Sequence, residues 1–424
     1  MKILQELLLL GYSGGLAPEE EIDLGFKAGF NKSKYTGIQH IYLKGQMYID
    51  APDTGFTLTI WDEVNSVLLA SFHQETSGWH DLVSADVQAD LANNTEIKAY
   101  LAPDEGSEGN PCDISNLCVV VEQEDNTETK KTTLSLSLNT QYQYGYTTSY
   151  EKATEGQVKY KPNYPDGSNK IYFEATLGVV WPATGYACLY DVTADAVVAG
   201  SEVTTTNEEP TIITSGELTL IDDHVYCLAL KTSNSAQESK STNSCIKQVQ
   251  ENFTKCNTSV CSFGSRYTYP GGSYIDTSAP KLYPASKIDA DIVTAYISAF
   301  ALFDFDAEET QGIRLYNNTD AAVVPDTTME ETGSSEEIWS VLSNEIVQPT
   351  DQDSISLEGK GEHSFTVGPV YIICYLSDQE VVGTYLPADP NQPTGYHCFM
   401  SQYLKNTLTG NIPLLTPDGV NKCW

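Results

Sequence analysis

Along most of the chain, apolar and polar positions alternate in short runs, the period of a strand with one buried face. Phe56-Thr57-Leu58-Thr59-Ile60-Trp61 is the cleanest case, and Ile41-Tyr42-Leu43, Val67 to Phe72 and Ile97 to Leu101 belong with it. The same order returns in Ile171-Tyr172-Phe173, Ala187 to Tyr190, Val197-Val198, Leu218 to Ile221 and Val225 to Leu230. It returns again in Tyr296-Ile297, Ile313 to Tyr316, Val323-Val324 and Val370 to Leu376. Only the first residues break the rule. Leu4, Leu7, Leu8 and Leu10 fall at helical spacing, and Gly14-Gly15 with Glu19-Glu20-Glu21 ends the run. Residues 1–33 are therefore expected to form a partly helical arm that docks on a neighbouring subunit or on the first domain.

Landmarks fix the period. Trp61-Asp62 with Val67-Leu68, Tyr190-Asp191 with Val197-Val198 and Tyr316-Asn317 with Val323-Val324 mark one recurring corner, at steps of 129 and 126 residues. Lys34-Tyr35, Lys159-Tyr160 and Lys281-Leu282-Tyr283 open each copy, at tyrosine steps of 125 and 123. Cys118, Cys245 and Cys398, with Gln123, Gln248 and Gln402 nearby, close it at steps of 127 and 153. On that count the third copy carries roughly 25 extra residues, placed in the acidic stretch 326–361.

The expected fold is all-β: three tandem Ig-like or jelly-roll-like sandwiches after the arm. The divisions fall at 1–33, 34–150, 151–275 and 276–424. Seven or eight short strands per copy suit a two-sheet sandwich, and 424 residues suit about three domains of ordinary size. A tyrosine strip follows each of the first two copies: Tyr142, Tyr144 and Tyr146, then Tyr267, Tyr269 and Tyr274. Alternate residues of a strand share a face, so each strip offers aligned rings that cement domains, meet an adjacent subunit or stack on a glycan.

Charge and composition then narrow the function. A net charge of −35, with Arg266 and Arg314 the only arginines, repels phosphate backbones and excludes nucleic-acid binding. No run approaches the length of a membrane helix. Ten cysteines without paired zinc-ligand spacing point to disulfides and oxidising surroundings. The candidate pairs are Cys112 with Cys118, Cys256 with Cys261, Cys227 with Cys245 and Cys374 with Cys398. The six histidines are scattered, and no phosphate loop, nucleophile elbow or Cys–His arrangement occurs. Paired acids such as Asp289 with Asp291 and Asp304 with Asp306 could hold calcium; among 58 acids their proximity does not indicate hydrolase chemistry. No other cofactor is expected, and no enzyme.

The stretch IYFEATLGVV, followed by CLYDVTADAVVAGSEVTTT from Cys188 to Thr206, resembles β-sandwich modules found in tandem on virion-surface and bacterial surface proteins. The chain looks most like virus structural proteins of the bacteriophage decoration, fibre or tail-appendage type. That resemblance implies a non-enzymatic, homo-oligomeric protein on a virion surface or outside the cell. Leu4, Leu7, Leu8 and Leu10 would anchor it to other subunits, and the sandwiches would project outward. It carries over no catalytic residues. The alternative is a cell-surface adhesin or extracellular filament subunit that contacts other subunits or a host glycan.

Overall fold

The computed structural model describes the chain except residues 53, 125–129, 141, 161–166, 265, 269–270, 279, 289–291, 307, 378–383, 386–398, 401–412, 416–420 and 424. Met1–Leu376 is one compact unit and Ser377–Trp424 a second. The described residues contain no α-helix, only strands and two 3-10 turns, Lys32–Lys34 and Ala285–Lys287.

The first sandwich contains β1 (Lys2–Leu16), β2 (Ile22–Asp23), β3 (Ala28–Phe30), β4 (Ile38–Ile49), β5 (Phe56–Asp62), β6 (Val67–Gln74), β7 (Gly78–Val83), β8 (Thr95–Pro103) and β9 (Cys112–Glu124). The second contains β10 (Lys131–Ser137), β11 (Gln143–Gly145), β12 (Glu151–Lys159), β13 (Ser168–Val179), β14 (Gly185–Asp191), β15 (Ala196–Val197), β16 (Val203–Thr205), β17 (Thr211–Thr214), β18 (Val225–Thr232) and β19 (Ser239–Glu251). The third contains β20 (Lys255–Phe263), β21 (Arg266–Thr268), β22 (Gly271–Asp276), β23 (Lys281–Leu282), β24 (Ile292–Phe305), β25 (Glu309–Asn317), β26 (Ala322–Val323), β27 (Met329–Gly333), β28 (Glu336–Ile346), β29 (Ser354–Gly361), β30 (Phe365–Val367) and β31 (Val370–Ser377). In the second unit β32 (Thr384–Tyr385) pairs with β33 (Phe399–Met400), and β34 (Pro413–Leu415) with β35 (Asn421–Cys423).

Three sandwiches share one strand order. The inner sheets run β1-β9-β4-β7, β10-β19-β13-β17 and β20-β31-β24-β28; β11 adds to β19 in the second, and β30 with β21 adds to β24 in the third. The outer sheets run β2-β8-β5-β6, β12-β18-β14-β15 and β22-β29-β25-β26. Every pairing with a described register is antiparallel, as hairpin-linked sandwiches require. The acidic stretch 326–361 thus supplies β27 to β29, which repeat the strands between the corner and the last strand of the other copies. The last strands β9, β19 and β31 carry Cys118, Cys245 and Cys374, so Cys374 is the third closing landmark, 129 residues after Cys245.

The N-terminal segment is not a helical arm. It is the long first strand of sandwich one, paired with β9 from Lys2↔Glu124 to Leu16↔Cys112. Leu4, Leu7, Leu8 and Leu10, expected as an assembly anchor, are all buried inside this chain. Burial on both faces of a strand removes its alternation and leaves a continuous apolar run that imitates helical spacing.

The sandwiches are closed on one another rather than strung end to end. Cys118 and Val120, on the outward side of β9, pack in the core of the third sandwich. Tyr296, Tyr371 and Ile373, on the outward side of β24 and β31, pack in the core of the second. Thr176 and Lys247, on the inner sheet of the second, hydrogen-bond the backbone of Lys27 and Gly29 in the first. Each inner sheet therefore covers the next sandwich in cyclic order.

Candidate functional site

The first strands β1, β10 and β20 meet where the three sandwiches converge. Gln5, 1% exposed, bonds both neighbours there. Its Nε2 donates to Thr132 Oγ1 at 3.2 Å and to the Asn257 carbonyl at 3.0 Å, while its Oε1 accepts from Ser259 N at 3.0 Å. Thr132 in turn donates to Gln123 Oε1 at 2.8 Å. Buried amides need such partners, and here one side chain satisfies groups from two other sandwiches.

Two part-buried ion pairs lie near this axis. Lys281 Nζ lies 3.3 Å from Glu6 Oε2, which also accepts from Ser262 N at 2.9 Å. Lys247 Nζ lies 2.5 Å from Glu174 Oε1. Burial works against both ammonium groups, yet the facing carboxylates hold their pKa above the ordinary lysine value. Close approach is the third device: a Cβ on Gly264 would sit 1.7 Å from Gly11 Cα, so the chain just after β20 touches the middle of β1 backbone to backbone.

A cleft of about 570 Å³ opens between the first two sandwiches, walled by Phe30, Tyr35, Tyr172 and Ile212 over the Glu174–Lys247 pair. No described histidine or cysteine lines it, and its charged floor is already neutralised.

The repeated corner is a hairpin turn. Asp62, Asp191 and Asn317 are buried and accept turn N–H groups from Asn65 at 3.1 Å, Ala194 at 2.9 Å and Asp320 at 3.2 Å. Each turn then carries a left-handed residue, Ser66, Asp195 or Ala321, with φ of 53°, 51° and 51°. The aromatic partners Trp61, Tyr190 and Tyr316 lie on the opposite, solvent side. The buried side chain of each corner holds its turn, and Asp191 also meets His224 Nδ1 at 2.7 Å.

Tyr142, Tyr144 and Tyr146 stack in a row, with centroids 6.1 and 6.2 Å apart. Tyr142 leans on Gly25 of the first sandwich, where a Cβ would approach its ring to 3.0 Å, whereas Tyr144 and Tyr146 are 45% and 53% exposed. Tyr274 stands elsewhere, on the outer sheet of the third sandwich, with Arg314 3.9 Å above its ring and Glu330 accepting its hydroxyl at 2.7 Å. Tyr267 lies on β21 with only its backbone described, and Tyr269 lies outside the described residues. Asp304 and Asp306 are exposed around the end of β24; Asp289 and Asp291 lie outside the described residues.

The disulfide expectation is corrected. Cys112, Cys118, Cys188, Cys227, Cys245, Cys261 and Cys374 are free and buried, and Cys256 is buried with its Sγ 3.7 Å from Met1 Sδ. Cys112 and Cys118 lie six residues apart on β9, about 20 Å of extended chain, far beyond disulfide reach; Cys256 and Cys261 share β20 in the same way. Cys227 and Cys245 sit on different sheets of the second sandwich, and Cys398, the proposed partner of Cys374, lies outside the described residues. Burial pushes the thiols of Cys118, Cys227, Cys261 and Cys374 up to about 12, so they stay neutral and unreactive. Cysteine count therefore no longer argues for oxidising surroundings.

Sequence reasoning missed Gln5, hidden inside an apparent helix, and a group formed by His73, Glu75 and Asp104. The i, i+2 spacing of His73 and Glu75 on a strand was the one available signal for that group.

No protein-family model matches the sequence, and no curated protein matches it. Distant structural matches exist to viral jelly-roll capsid proteins and to secreted β-sandwich proteins. Infectious bursal virus derived T=1 particles match at 8% identity and TM-score 0.23, over 96% of this chain and 83% of that one. A triple jelly-roll protein of an archaeal virus turret matches at 10% identity and TM-score 0.16, over 88% and 91%. The PBSX exported protein XepA matches at 9% identity and TM-score 0.18, over 58% and 86%. Similarity this distant carries no information about activity.

Proposed function

We propose that this chain is a non-enzymatic structural subunit of a virion, of the capsid decoration, fibre or tail-appendage kind. The observation that carries the reading is the cyclic closure of three like sandwiches around Gln5. Such a closed block resists deformation and spends its buried polar groups on internal joints. The cleft between its first two sandwiches has a neutralised floor rather than a poised nucleophile and base. Contacts with other subunits then fall to exposed surface, since Leu4, Leu7, Leu8 and Leu10 serve the chain's own core. Quantifying the chain in gradient-purified particles tests the reading: a fixed copy number per particle is expected, and absence from washed particles overturns it.

A second reading, an adhesin or filament subunit, is favoured by the exposed rings of Tyr144 and Tyr146, which could pack on sugar. Recovery of the chain from sheared cell-surface fibres would select it.

A further inference from the structure

We propose that His73, Glu75 and Asp104 form a zinc site on the outer face of the first sandwich. All three donors come from strand ends that flank β5. His73, near the end of β6, pairs with Thr57, and Ala102 of β8 pairs with the same Thr57 from the other side. Phe56, Leu58 and Ile60 point into the core, so Thr57 faces outward, and the two-residue period puts His73, Glu75 and Asp104 on that same outward face.

The floor beneath them is bare. Gly55 has no side chain, and a Cβ there would lie 2.0 Å from Asp104 Oδ2. The carboxylate thus occupies volume that any other residue at position 55 would fill. Its backbone is held: Asp104 N donates to Gly55 O at 2.9 Å, Ser107 N to Asp104 O at 2.9 Å, and Gly55 N to Ser107 Oγ at 2.8 Å. His73 Nε2 lies 2.8 Å from Asp104 Oδ2 and 3.6 Å from Glu75 Oε1, and one donor atom from each residue falls within 4.8 Å of the others. Donors around a tetrahedral zinc ion sit roughly 3 to 3.5 Å apart, so the three need only small rotations to share one.

One imidazole with two carboxylates suits Zn²⁺, whereas Ca²⁺ takes six to eight oxygens. The overall charge of −35 raises the local concentration of cations. Bound there, the ion ties β6 to β8 across β5 and keeps a coordination position open to solvent. This inference does not depend on the structural role proposed above.

Calorimetric titration of the full, reduced chain with zinc chloride tests it, paired with the absorption spectrum of the Co²⁺ form. The expected result is one saturable equivalent, weakened at least about tenfold by His73→Ala and also by Gly55→Ala, with a cobalt spectrum free of thiolate charge transfer. Because His73 is exposed, its replacement leaves the fold intact even should Gly55→Ala not fold. Absence of saturable binding, equal affinity in His73→Ala, or a thiolate signature for the bound equivalent overturns the proposal.

Discussion

The inner and outer sheets of each sandwich have one core between them and opposite surroundings on their other side. Outer strand β5 alternates buried and half-buried positions along its length, while inner strands β1 and β9 are buried without a break over residues 3–11 and 114–121. The difference lies in what covers the second face: water over β5, another sandwich over β9. Outer faces accordingly carry aromatic and charged side chains, such as Lys152 4.7 Å over Tyr190 and Lys231 4.2 Å over Tyr150. Inner faces carry mostly apolar side chains and uncharged amides, with ions held in pairs such as Glu6–Lys281, Glu174–Lys247 and Glu122–Lys287. A strand of this protein is thus read correctly only when both of its faces are known.

The comparison breaks most readily at β1. Removing Lys2–Leu16 should unfold the whole Met1–Leu376 unit, because cores one and three both lose residues of that strand. Circular dichroism and limited proteolysis would show it, and a soluble, folded remainder would contradict the shared core. Next in size, Lys281→Met should cost about 3–5 kcal/mol by stranding the Glu6 carboxylate, with Glu6→Gln in the same chain recovering part of it in urea titrations. At the outer corners, Asp191→Ala should cost about 1–3 kcal/mol by orphaning turn N–H groups. Asp62→Ala should cost a similar amount if the two turns are equivalent.

Smaller effects sharpen the outer side of the comparison. Glu309 accepts from His363 Nδ1 at 2.8 Å. Burial raises the Glu309 carboxyl, but hydrogen bonds from His363 and the Glu362 N–H outweigh it and leave the pKa lowered; the Glu309 bond raises that of His363. A lowered acid stabilises the fold above its ordinary value of 4.5 and loses that as pH falls. A raised histidine stabilises below its ordinary 6.5 and loses that as pH rises. The pair should therefore contribute most between those two values, and a double-mutant cycle of His363→Ala with Glu309→Gln followed against pH would detect a flat profile if it does not. Smallest of all, Tyr146→Ala should shift stability by less than about 0.5 kcal/mol, while a loss of particle incorporation or of glycan-array signal would mark the strip as a contact surface.

Much of the outer half of the molecule was legible. Phe56 to Trp61 shows the strand period because Thr57 and Thr59 meet solvent, and the corner recurs because every copy needs an Asx side chain to close the same turn. The inner half was not. Leu7 to Leu10 looked like a helical face because both sides of β1 are covered. The first strands of the second and third copies, β10 and β20, fell inside the divisions 34–150 and 151–275 drawn for the copies before them, since threonine, serine and asparagine dominate where they face the axis and mask a new start. Cysteine spacing misled for a related reason: residues close in sequence are far apart when the backbone between them is extended.

By itself, the sequence determined that this protein is three copies of an antiparallel β-sandwich, because alternation and turn chemistry are local and survive in any surroundings. Only the tertiary structure decided that the copies close on each other, that β1 lies inside the block, and that His73, Glu75 and Asp104 share one face. Those relations depend on which surfaces meet, and a surface buried by a distant segment leaves no periodic trace in its own residues.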